Sequence, residues 1–126
     1  MYRAYGLLQP GSDFTAEEAE KRLRTKFPDA TVTRAGDQIG VAIGEWEIEL
    51  RLNGDPSVLA ESVEIAEKIG GLGGGSDIAS CARRVEIGSE TPDPMMEHFN
   101  DFLFVIEVLQ SFRGVIPVDP SEPTLM

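Results

Sequence analysis

Four places in the chain hold residue types that could do chemistry. The first is Glu47 and Glu49, two apart in the run WEIELRL. In a strand that spacing puts both carboxylates on one face. A glycosidase-type pair needs its carboxylates on opposite sides of a substrate. Side by side on one strand they instead present charge to a partner, so the pair reads as a binding feature. The second is His98, the only histidine. Helical spacing places it near Asp101, with Glu97 adjacent in sequence. A metal site needs three or more convergent ligands. No second histidine or cysteine cluster supplies them. The expectation is no metal, no cofactor, and a histidine on the polar edge of a helix.

The third is Cys81, the sole cysteine, which excludes an intramolecular disulfide. A Cys81–His98 nucleophilic pair would make a small hydrolase, but it needs an exposed, activated thiol. Cys81 falls on one strand face with Val85 and Ile87, the setting of a buried and inert thiol. The fourth is the glycine-rich run KIGGLGGGSDIAS, Lys68 to Ser80. Gly70 stands where a left-handed helix C-cap belongs. A phosphate cradle should instead follow a buried strand and open a helix, and a P-loop adds Gly-Lys-Ser or Gly-Lys-Thr. Neither pattern is present. Residues 71–75 are therefore expected to be a mobile connection that holds no phosphate.

The elements that position these residues follow from periodicity. Tyr2 to Leu8 reads as a strand. Thr15-Ala-Glu-Glu18 is a capping box that opens a helix ending before Pro28. ATVTR, QIGVAI and WEIELRL are three strands, the last two joined by Gly44-Glu45 in a type II′ turn. That turn pairs Ile43 with Trp46, Val41 with Ile48 and Ile39 with Leu50 on one buried face. On the other face Gly40 and Ala42 lie across from Glu49 and Glu47, and Gln38 across from Arg51. The missing side chains leave a shallow trough, bordered by Thr31 and Thr33. Candidate binding residues are therefore Glu47, Glu49, Arg51, Thr31 and Thr33.

A second helix follows Asp55, with Leu59, Val63, Ala66 and Ile69 inward, Val58 and Ile65 beside them, and Glu61, Glu64 and Lys68 outward. SCARRVEIG is a strand with Arg84 and Glu86 on the face opposite Cys81, Arg83, Val85 and Ile87. Asp93 and Pro94 open a third helix, running to about Phe112 with Gly114 ending it. This helix is apolar nearly all round, with Phe104 in its narrow polar stripe and Met95 and Met96 at its start. A surface of that kind is covered by the tail or by a second copy of the chain. A homodimer is expected, with Phe104, Met95 and Met96 at the interface. GVIPV is a last short strand, and residues 119–126 an extended proline-rich tail.

The order of elements is β-α-β-β-β-α-β-α-β in one domain spanning residues 1–126. It implies an α+β fold: a mostly antiparallel sheet with helices packed largely on one face, a two-layer sandwich. The three-strand meander between helices resembles the architecture of small acidic secretion chaperones, which implies dimerisation through the sheet and helix. An added first strand and a single strand between the last two helices depart from that pattern.

Charge narrows the function. The net charge is −11 and the pI about 4.4. Residues 37–77 carry nine acids against Arg51 and Lys68, while four bases crowd one early helix. Such a surface repels phosphate backbones, so no nucleic-acid partner is expected, and a basic protein partner fits better. No apolar run approaches the roughly 20 residues needed to span a bilayer. No signal-peptide pattern opens the chain, so the expected setting is cytoplasmic, without a membrane. The leading reading is a non-enzymatic protein-binding module, immunity-protein-like or adaptor-like. The alternatives are a dimeric secretion-type chaperone and, least favoured, the Cys81–His98 hydrolase.

Overall fold

The computed structural model describes residues 2–69, 75–120 and 124–125. Strand β1 (Tyr2–Leu8) carries the unbroken run AYGLL, the pattern of a strand covered on both faces. Ala4 and Leu8 enter one apolar cluster and Leu7 enters another. Thr15 caps helix α1 (Ala16–Lys26), its hydroxyl accepting the Glu18 amide at 3.1 Å. The Glu18 carboxylate does not close the capping box; it takes Arg22 Nε at 3.2 Å instead. A charged partner one helical turn on competes well with a solvated amide.

Next come β2 (Thr31–Ala35), β3 (Gln38–Ile43) and β4 (Trp46–Asn53). The β3–β4 register is the expected one throughout, with Ile43 opposite Trp46, Val41 opposite Ile48 and Ile39 opposite Leu50. Gly44 has φ 61° and no positive φ is found at Glu45, as a type II′ turn requires. Then follow α2 (Ser57–Ile69), the single turn α3 (Gly75–Ala79) and β5 (Arg83–Ser89). The chain closes with α4 (Phe99–Gln110), β6 (Val115–Asp119) and the short β7 (Thr124–Leu125).

The strands form one antiparallel sheet in the order β2-β3-β4-β5-β1-β6-β7. The α+β class and antiparallel sheet are as expected. Helices α1 and α4 form the main helical layer. Leu23, Phe102, Val105 and Leu109 pack on Val32, Ile48, Leu50, Val85 and Ile87. Gly6 admits α4: a Cβ there would sit 3.2 Å from Val115 and 3.3 Å from Leu109. Helices α2 and α3 add a partial layer that the two-layer expectation did not include. Ile65, Ile69 and Ile78 cover Leu7 and Val118 on the reverse of the sheet. The reverse of β2, β3 and β4 stays open, with Thr31, Thr33, Glu47, Glu49 and Arg51 exposed.

Several local expectations are corrected. The buried side of α2 is Val58, Ser62, Ile65 and Ile69, while Leu59 and Val63 are exposed. Ser62 is buried because its hydroxyl donates to the Cys81 carbonyl at 2.7 Å, which rotates Leu59 and Val63 away from the sheet. The last helix starts at Phe99, not near Pro94. Met96 adopts φ 55°, and the Asp93 carboxylate draws the Glu97 and His98 amides into a turn instead. Cys81 precedes β5 and lies in the α2–α3 cluster, not on the Val85–Ile87 face. In the tail, Thr124 and Leu125 pair with Asp119 and Val118 as β7. The expected Gly70 cap and most of the 71–75 connection lie outside the described residues; Gly75 opens α3. No helix among the described residues is long and apolar enough to cross a membrane.

Candidate functional site

The open half of the sheet is built by register. Thr31 sits beside Ala42 and Thr33 beside Gly40, and those two small residues sit beside Glu47 and Glu49. Alternation turns all six positions to the uncovered side. Gly40 lacks the Cβ that would stand 3.3 Å from the Thr33 hydroxyl. The result is a trough of about 240 Å³ lined by Thr31, Thr33, Gly40, Ala42, Glu47 and Glu49. The expected trough residues therefore come together. Arg51 shares the face one step farther along β4, opposite Gln38 and Glu86. Gln38 Nε2 donates to Glu49 at 3.3 Å across the strands.

The carboxylates stand on a fixed backbone. Ser89 donates to the Glu47 carbonyl at 2.6 Å, and the Glu47 amide reaches the Thr91 hydroxyl at 3.3 Å. No cation holds either of them at contact distance among the described residues. Three of the four bases of α1 are paired elsewhere: Arg22 with Glu18, Arg24 with Glu20 and Lys26 with Glu107. Arg34 also pairs with Glu20. Fixed like charges on a strand, beside small residues that leave space, can receive cationic or hydrogen-bond-donating groups. They have no opposed partner with which to do acid–base chemistry on a substrate between them.

Cys81 and His98 are not brought together. Cys81 is buried on the α2 side of the sheet, its thiol pushed up to about 11 by burial and then by the Asp77 charge. His98 is on the α4 side, its ring stacked on Trp46 at 4.8 Å and 3°. Its Nδ1 lies 2.9 Å from Asp101, the neighbour that helical spacing indicated. The sheet stands between thiol and imidazole, so no nucleophilic pair forms. Among the described residues no cluster of three potential ligands is placed to hold a metal.

No protein-family model, curated protein or solved structure matches the chain.

Sequence reasoning missed Arg84. It lies only 5% exposed under α2, with Nη2 at 3.2 Å from Glu61 and 2.9 Å from Glu86. Its guanidinium covers the Tyr5 ring at 4.1 Å. Burial works to raise the Glu86 carboxyl, but hydrogen bonds from Asn53 and Arg84, with the Arg84 and Arg51 charges, hold it below the usual range. The outward parity of Arg84 was readable. Its cover was not, because the apolar stripe of α2 is narrow and includes Ser62.

Proposed function

We propose that this chain is a small acidic protein-binding module without catalytic activity, and that the open β2–β3–β4 face receives a basic partner. One observation carries the reading: Glu47 and Glu49 stand side by side on an uncovered sheet half, with no ion pair among the described residues. An antiparallel sheet tolerates one solvated face, and unpaired carboxylates there cost little until a partner desolvates them. A net charge of −11 speeds encounter with a cationic surface. The test is affinity capture from native cells with the wild type and with Glu47→Lys/Glu49→Lys. A partner held by the wild type and lost by the folded variant is expected. The same partner held equally by both would remove the sheet face from the interface.

A second reading is self-association through α4. Phe99, Leu103 and Phe104 are each more than a third exposed, and Met95 and Met96 more so. Apolar surface of this kind on a helix commonly marks a contact. The secretion-chaperone alternative rests on the three-strand meander between helices, and its dimer would use the sheet and helix.

A further inference from the structure

Strand β4 ends on Asn53, and Gly54 follows it. Asparagine is a chemically labile residue, and most labile before glycine, which puts no side chain in the way of its own nitrogen. The structure leaves that nitrogen available. Gly54 is exposed, and its amide donates no hydrogen bond among the described residues. The Asn53 side chain is folded back toward it. Asn53 Oδ1 accepts the Asp55 amide at 2.9 Å, which closes a ring holding both Cγ of Asn53 and the Gly54 nitrogen. That bond also draws electron density from the carbonyl carbon to be attacked. The other asparagine, Asn100, lies inside α4 and precedes the bulkier Asp101.

The amide at risk serves the buried cation. Asn53 Nδ2 donates to Glu86 Oε2 at 3.0 Å. The same oxygen takes Arg84 Nε and Nη2, each at 2.9 Å, and Arg84 reaches Glu61 of α2 at 3.2 Å. We propose that Asn53 is a site of spontaneous deamidation, and that its product loosens the Arg84 clamp beneath α2. The Gly54 nitrogen bonds to Cγ and gives up its proton through solvent. Ammonia leaves with the electron pair of the Cγ–Nδ2 bond, and a cyclic imide remains. Water then adds to either imide carbonyl and opens the ring to aspartate or isoaspartate. One water is consumed and one ammonia released, with nothing oxidised or reduced. Either product sets a carboxylate against Glu86 where a donor stood, so two like charges meet. Isoaspartate also reroutes the main chain through the side-chain carbon at the end of β4.

The test is incubation of the folded protein at mildly alkaline pH and body temperature, read by peptide mass spectrometry and by labelling with isoaspartyl methyltransferase. Residue 53 should convert to a mixture of aspartate and isoaspartate, while Asn100 stays intact. Gly54→Ala should fold, since its Cβ would meet only Arg83 side-chain carbons at 3.6 and 3.8 Å. It should convert about ten-fold more slowly. The converted protein, separated by anion exchange, should melt below the unconverted one, and so should Asn53→Asp. Asn53→Asp/Glu86→Gln should recover part of that loss. An intact residue 53, after a time that fully converts a free Asn-Gly peptide, would overturn the site. Equal rates in the wild type and Gly54→Ala would overturn the route through the glycine nitrogen. An Asn53→Asp variant that melts with the wild type would overturn the link to Arg84.

Discussion

The Tyr2 phenol donates a 2.6 Å hydrogen bond to Asp93 Oδ2, joining residues 91 positions apart in the chain. The same carboxylate accepts the amides of His98 at 2.9 Å and Glu97 at 3.1 Å. One side chain thus ties β1 to the turn that leads into α4. The bond to Asp93, then burial, then the Asp93 charge push the phenol up to about 12. Burial works to raise the Asp93 carboxyl, but the bonds from Tyr2, His98 and Glu97, with His98 nearby, outweigh it and hold the group below its usual range.

Both shifts set a pH window. A raised Tyr2 contributes stability that is whole below its ordinary value of 10.0 and is lost as pH rises through about 12. A lowered Asp93 contributes stability that is whole above its ordinary 3.8 and is lost as pH falls through its folded value. Thermal melts across pH should therefore decline at both ends. Tyr2→Phe should weaken the alkaline decline, and Asp93→Asn the acid one. A Tyr2→Phe profile superimposable on the wild type would show that the pair does not stabilise the fold.

Trp46 is 2% exposed and packs against Tyr2 and His98. Trp46→Ala should cost about 3–5 kcal/mol in urea unfolding. The native emission should be blue-shifted, moving red on unfolding. An emission maximum of fully hydrated indole in the native protein would be incompatible with this packing.

The hairpin was legible because two local signals agreed: Gly44-Glu45 fixes the register, and strict alternation names the buried face. The trough followed from the same register, since Gly40 and Ala42 oppose Glu49 and Glu47. What was not legible depended on distant contacts. In sequence Asp93 reads as the start of a helix, but its bonds to the Tyr2 phenol and two amides move that start to Phe99. The facing of α2 is ambiguous in sequence because Leu59 and Val63 fit an apolar stripe as well as Val58 and Ile65 do. The Ser62–Cys81 hydrogen bond, 19 residues apart, decides between them. The Trp46–His98 stack unites a strand end and a helix cap that share no local pattern.

Arg84 should prove the costliest charge to remove. Its guanidinium bridges Glu61 and Glu86 while stacked on Tyr5 beneath α2. Arg84→Ala should destabilise by about 3 kcal/mol, because it leaves Glu86 partly buried without its cation and opens a void. Arg84→Met, which keeps the stem, should cost less. Glu61→Gln should cost under about 1 kcal/mol, since the Glu61 side chain is 46% exposed. Equal losses for Arg84→Ala and Glu61→Gln would deny the buried cation its role.

Cys81 should resist aromatic disulfide reagents in the native state. Its thiol is buried, raised to about 11, and 3.3 Å from the Asp77 carbonyl. Modification should follow the unfolding equilibrium and accelerate in urea. Rapid labelling of the folded protein at neutral pH would mean that the α2–α3 layer opens readily.

The outer surface of α4 gives the last prediction. Phe104 is an ambiguous probe of a dimer, because its ring touches Phe27 at 6.4 Å and lies under the Lys26 ammonium at 4.7 Å. Phe104→Glu would therefore disturb the fold as well as any interface. Leu103 is cleaner: it is 37% exposed and belongs to neither apolar cluster. In a two-fold dimer each substitution acts twice, so Leu103→Glu puts two unpaired charges into the contact. The wild type should sediment as a dimer at high micromolar concentration, and Leu103→Glu as a monomer with unchanged circular dichroism. A monomeric wild type would remove self-association and leave the Met96–Phe99–Leu103 surface to a different protein.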